Sequence, residues 1–117
     1  MSLVITYATN DFVVMSGDYR KVNLEDEDIY FDDSPKVFRA NEKVLCGMTG
    51  DVNVKDYLRD NLKIGPKETV QSVAKKIRRA VKEKGFPNVY FGAHVAGISD
   101  TGKYEICLLY TSPSPRD

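Results

Sequence analysis

The sequence has little of what most metal sites and catalytic triads require. It holds one histidine, two cysteines and no tryptophan in 117 residues. A single histidine excludes most zinc sites and weakens any Ser-His-Asp arrangement. Two cysteines in a chain that reads as cytoplasmic make no disulfide framework. Net charge is also missing, because 17 Lys and Arg balance 17 Asp and Glu. That balance argues against a surface built as a nucleic-acid footprint. No apolar run approaches the roughly 20 residues of a membrane span. The N-terminus, Met-Ser-Leu-Val-Ile-Thr-Tyr-Ala, lacks the basic region and small-residue cleavage site of a signal peptide. No P-loop, dinucleotide fingerprint or metal motif occurs, so no cofactor is expected.

What remains is an ordinary globular mixture, 42% hydrophobic and 29% charged, enough for one domain. Leu3 to Ala8 alternates as a strand, Thr9-Asn10-Asp11 signals a turn, and Phe12 to Met15 completes a hairpin that Gly17-Asp18 ends. Residues 19 to 35 read as a polar connection with an acidic stretch near residues 25 to 33. Lys36 to Ala40 and Val44 to Met48 read as two further strands. The period then changes. Val54, Leu58 and Leu62 recur at spacings of four, which predicts a helix over 52–62. Pro66 suits the first position of a second helix, with Glu68 in its first turn. Val70, Val73, Ala74, Ile77 and Val81 form its apolar face, and Gly85 and Pro87 stop it. The basic residues between 75 and 84 read as a solvated face, since no aromatics are interleaved for nucleic-acid binding. Val89 to Ile98 predicts a buried strand, and Ser99 to Gly102 turns into a last one at Tyr104 to Ile106. The order is four strands, two helices, two strands, an α+β architecture.

Residues 107 to 117, Cys-Leu-Leu-Tyr-Thr-Ser-Pro-Ser-Pro-Arg-Asp, resemble a translated sequencing adapter, one frame of which gives the same string. On that reading 1–106 is the N-terminal part of a single domain, 107–117 is a non-native tail, and Cys46 is the only native cysteine. Cys46 in an apolar strand is expected to be a core residue. His94, in Gly92-Ala93-His94-Val95, is expected to be a satisfied core or sheet-face histidine.

Ser2 is the first candidate for chemistry. Removal of Met1 would leave a free α-amine and a hydroxyl on one residue, and such a residue can use its own amine as base. Four stretches strengthen the idea. Ser2-Leu3-Val4-Ile5 is a strand beginning at the terminus. Gly17-Asp18-Tyr19-Arg20 puts Asp18 sixteen residues after Ser2. Lys36-Val37-Phe38 follows, and then Leu45-Cys46-Gly47-Met48-Thr49-Gly50-Asp51. In this order and spacing they resemble the proteasome β-subunit and HslV-like N-terminal nucleophile (Ntn) hydrolases, over residues 2 to 106.

The resemblance implies the first half of an αββα sandwich and a peptidase mechanism. Ser2 would be the nucleophile. Lys36 would lower the pKa of its hydroxyl and amine, and Asp18 would hold Lys36 charged. The Gly47 N–H would donate to the oxyanion. Arg20 and Thr49 would contribute to substrate binding. The family nucleophile is usually threonine, and serine lacks the methyl that fixes its rotamer. The resemblance further implies a peptide or protein substrate and a homo-oligomeric ring, with neither nucleic acid nor membrane as partner. The family's later half, with its Ser/Asp/Ser group, has no match here, so the polypeptide as given is expected to be inactive. Three alternatives stay open: an acyl-transfer enzyme on the same fold (a peptide ligase or amidase), a non-catalytic ring subunit, and an unrelated β-rich binding module in which Ser2, Asp18 and Lys36 do not converge. In the plainest reading Asp18 and Arg20 are a turn pair, Lys36 an exposed strand lysine and Gly47 a packing glycine.

Overall fold

The computed structural model describes residues 3–18, 21–22, 30–31, 35–86 and 90–111. Strand β1 (Val4–Ala8) pairs antiparallel with β2 (Val13–Gly17), from Val4 opposite Gly17 to Ala8 opposite Val13. Thr9 shapes the turn between them: its hydroxyl accepts from the Asp11 and Phe12 amides, each at 3.1 Å. The connection expected over 19–35 contains a short ladder, β3 (Lys21–Val22) with β4 (Tyr30–Phe31). Pairs of two residues are too short to leave a period in the sequence. The acidic stretch expected near 25 to 33 lies almost wholly outside the described residues.

The second sheet is antiparallel throughout, in the order β5 (Val37–Asn41), β6 (Val44–Gly50), β7 (Phe91–Ile98), β8 (Tyr104–Thr111). Between β6 and β7 come α1 (Val52–Asn61) and α2 (Val70–Lys84). Strand alternation splits the sheet into two faces. Cys46, Met48, Ala93, Val95 and Leu109 face the helices and meet Val54 and Leu58 of α1 and Val73 and Ile77 of α2 in one buried core. The opposite face receives the β1–β2 hairpin. At Gly47 the hairpin and the sheet are in close contact. A Cβ there would lie 2.6 Å from Val4 Cγ1 and 2.8 Å from Met15 Sδ, so only glycine allows this stacking. The observed layers are hairpin, sheet and helices, as expected for the first half of the α+β sandwich. The outer face of the hairpin is apolar and open, with Leu3, Ile5, Tyr7 and Val14 all exposed.

Helix α1 starts on Asp51, whose carboxylate accepts from the Asn53 amide at 2.8 Å. Helix α2 begins later than Pro66 predicts. Gly65 to Glu68 is a turn, in which Gly65 N–H donates to Glu68 Oε2 at 2.8 Å. Asn41 Nδ2 holds that turn by donating to the carbonyls of Gly65 and Glu68, both at 3.0 Å. Thr69 then caps the helix, donating its N–H to Ser72 Oγ at 2.9 Å. Glu68 therefore sits before the first turn, where it pairs with Lys76 at 2.6 Å. Burial by itself raises the Glu68 pKa, but hydrogen bonds from Lys76 and Gly65 outweigh it and leave it lowered. Gly85 ends α2 in the left-handed conformation, φ 72°. Strand β8 runs past Ile106 to Thr111. Cys107 packs against the core and Leu109 belongs to it, while Leu108 and Tyr110 point to the open side.

Candidate functional site

The site is assembled where β2 ends, β5 begins and α1 passes beneath. The hairpin ladder continues one step beyond β1, with Asp18 N–H donating to the Leu3 carbonyl at 3.2 Å. This sets Asp18 beside the residue that follows Ser2. Gly17, just before, has a steric duty. A Cβ on it would lie 2.9 Å from Lys36 Cβ and 3.0 Å from Val37 Cγ2. Glycine at this position lets the Lys36 backbone come in close under β2.

Lys36 is not the exposed strand lysine of the plainest reading. It is 1% exposed, and its Nζ lies 3.8 Å from Asp18 Oδ1. That separation makes an ion pair rather than a hydrogen bond. The Asp18 side chain is about one-third exposed overall, yet its Oδ1 is buried and makes no hydrogen bond. The main chain of Lys36 is fixed as well, its carbonyl accepting from Met48 N–H at 2.8 Å.

A third charged residue, which the sequence reading passed over, joins the pair. Lys55 of α1 is 6% exposed and its Nζ is buried without a hydrogen-bond partner. Burial, then the neighbouring Lys36, lowers its pKa to about 8, against the weaker opposing pull of Asp56 and Asp18. Its signal was in the sequence. Lys55 lies three residues before Leu58 and seven before Leu62, inside the apolar stripe of the helix.

Ser2 and Arg20 lie outside the described residues. Gly47 sits mid-strand opposite Val37 on one side and His94 on the other. Because Met48 N–H points to β5 and strand amides alternate, the Gly47 N–H is directed toward β7. Thr49, half-buried, stands opposite Gly92, and a Cβ on Gly92 would meet Thr49 Oγ1 at 3.1 Å. His94 has a partner across the sheets, Nδ1 lying 2.7 Å from Thr6 Oγ1, and its pKa is lowered by burial. Cys46 is fully buried, which pushes its thiol up to about 12 and removes it as a nucleophile at neutral pH. Among the described residues no group of three His, Cys, Asp or Glu converges on a metal-sized space, and no helix is long and apolar enough to cross a membrane. An apolar cleft of about 210 Å³ between α2 and β8, lined in part by Ile77, Val81 and Phe91, shares no residue with the Lys36 cluster.

A comparison with curated proteins finds no match. The family model described as proteasome subunit matches residues 2–114, covering the hairpin, the Asp18–Lys36 cluster and both helices, and running eight residues into the segment that resembles an adapter. Matched over almost its entire length, with the expected strand and helix order, this chain belongs to the proteasome subunit family.

Proposed function

We propose that the native gene product is an Ntn hydrolase that cleaves peptide bonds, with Ser2 as nucleophile once Met1 is removed. Ser2 Oγ attacks the scissile carbonyl, forming the C–O bond. Its proton passes, through a water, to the α-amine and from there to the leaving amine. Lys36 supplies a fixed positive charge that favours the ionised hydroxyl and the neutral amine. Asp18 keeps that charge oriented, and Thr49 and Arg20 contribute to substrate binding. Water resolves the acyl-enzyme. The substrate is a peptide or an unfolded protein segment, handled in the cytoplasm by a homo-oligomeric ring.

One observation supports this reading above the rest. A lysine buried to 1% exposure is ion-paired with an aspartate beside Leu3, the residue after Ser2. A buried ammonium is costly and serves stability poorly, which makes it a functional-site candidate. For Gly47 to serve the oxyanion, its N–H must be released from the ladder with β7. A non-catalytic ring subunit needs no such release, and that favours it as the second reading.

Hydrolysis of a fluorogenic peptide library by the full native gene product and by its Ser2→Ala variant separates the two. Peptidase activity that Ser2→Ala abolishes supports the nucleophile. Equal activity in both, or an intact mass that retains Met1, overturns it. No activity in either protein favours the ring subunit.

A further inference from the structure

Lysine side chains on a helix that faces a core usually run their stems outward and keep the ammonium in water. Lys55 does the opposite. Its Nζ is buried on the core side of α1 with no hydrogen bond. The charged groups that bear on it are Lys36 from the segment entering β5, Asp18 beyond β2, and Asp56 from its own helix. Lys36 is buried as well. Two ammonium groups are donors only and cannot bond to each other. Two amines sharing one positive charge can, the neutral nitrogen accepting from the charged one.

Resting on the nucleophile reading above, we propose that Lys55 is a positioning residue for Lys36, the neutral amine of a one-proton lysine pair that accepts from the Lys36 ammonium and so confines the charge next to Asp18 and the N-terminal nucleophile. In acid both amines are charged and repel. As pH rises, Lys55 gives its proton to solvent, because its buried Nζ has no hydrogen-bond partner, whereas Lys36 lies 3.8 Å from the Asp18 carboxylate. The pair then holds one charge, on the nitrogen that faces the carboxylate. The ordinary lysine value is 10.5, and the Lys55 titration near 8 agrees with this order of events.

The test is an NMR titration of the whole chain carrying ¹³Cε-lysine, followed from about pH 6 to 11. Lys55→Gln and Lys55→Met both serve to assign the Lys55 signal, so that one poorly folded variant does not end the experiment. The expected result is that this signal titrates near 8 in wild type and moves toward 10.5 in Lys36→Met. A Lys55 signal that titrates with the surface lysines overturns the proposal. So does a midpoint near 8 that Lys36→Met leaves unchanged, since burial alone would then account for it. Where peptides are cleaved, the rising limb of the pH–rate profile should change shape in Lys55→Met while turnover persists. An unaltered profile counts against the positioning role. The titration needs no turnover. A linked pair in a chain indifferent to Ser2→Ala would separate failure of the nucleophile from failure of the pair.

Discussion

Replacing Lys55 by methionine should stabilise the fold, and the gain should depend on pH. Methionine keeps a straight apolar stem of similar length and removes the buried ammonium. In the unfolded chain Lys55 titrates near 10.5, and in the fold near 8. Each pH unit between those values is worth about 1.4 kcal/mol. Below about pH 8 both states are protonated and the folded state carries the full penalty, about 3 kcal/mol as an order of magnitude. Between 8 and 10.5 the unfolded chain binds more protons, so wild-type stability rises with pH and the penalty fades. Lys55→Met should therefore gain about 3 kcal/mol at pH 7 but only about 1 kcal/mol at pH 10. Urea unfolding at the two pH values, followed by far-UV circular dichroism, measures both differences. The same gain at both pH values would refute the reasoning, because a pH-independent effect comes from packing. A loss at pH 7 would refute it outright, since it would mean that the ammonium is favourably held.

Two more outcomes follow from close contacts and burial. Gly17→Ala should lower stability by about 1–3 kcal/mol, as overpacking does, because the new methyl meets Lys36 and Val37 at 3.0 Å or less. A denaturant midpoint equal to wild type would show that β5 enters elsewhere. In native protein at pH 8, Cys46 should resist a thiol-reactive disulfide reagent and become reactive only on unfolding, given a thiol pushed up to about 12. Labelling of Cys46 at the rate of an exposed thiol, read by peptide mass spectrometry, would contradict its burial.

Long periodic segments were legible in the sequence because burial repeats along them. Val54 and Leu58, and Val73 and Ile77, mark the two helix faces that the core now occupies. The start of α2 was not legible. Pro66 is a good first helical residue in isolation, but Asn41, far away in the chain, fastens the Gly65–Glu68 turn and leaves the cap to Thr69. The length of the last strand is not legible from Tyr104 to Ile106 alone: Cys107 and Leu109 turn inward and Leu108 and Tyr110 outward, so the alternation runs on to Thr111. Of the site, Asp18 and Lys36 were read from motif spacing, and the structure brings them to 3.8 Å. Lys55 was missed because a lysine in an amphipathic helix is ordinarily assigned to the wet side. Its burial comes from tertiary packing, which periodicity alone does not weigh.

The pairing of β6 with β7 also has a kinetic meaning. Its partners span Val44–Gly50 and Phe91–Gly97, with both helices strung between them. The neighbouring pairs, β5 with β6 and β7 with β8, are joined by short turns. Closing a connection of some forty residues instead of a few costs about 2–3 kcal/mol more in chain entropy. The two local hairpins should therefore form early, and the zipping of Cys46 against Val95 should be the event that sets the folding rate. The strand pair at the middle of the sheet, with the longest detour between its partners, is then the gate through which the chain passes to its native state.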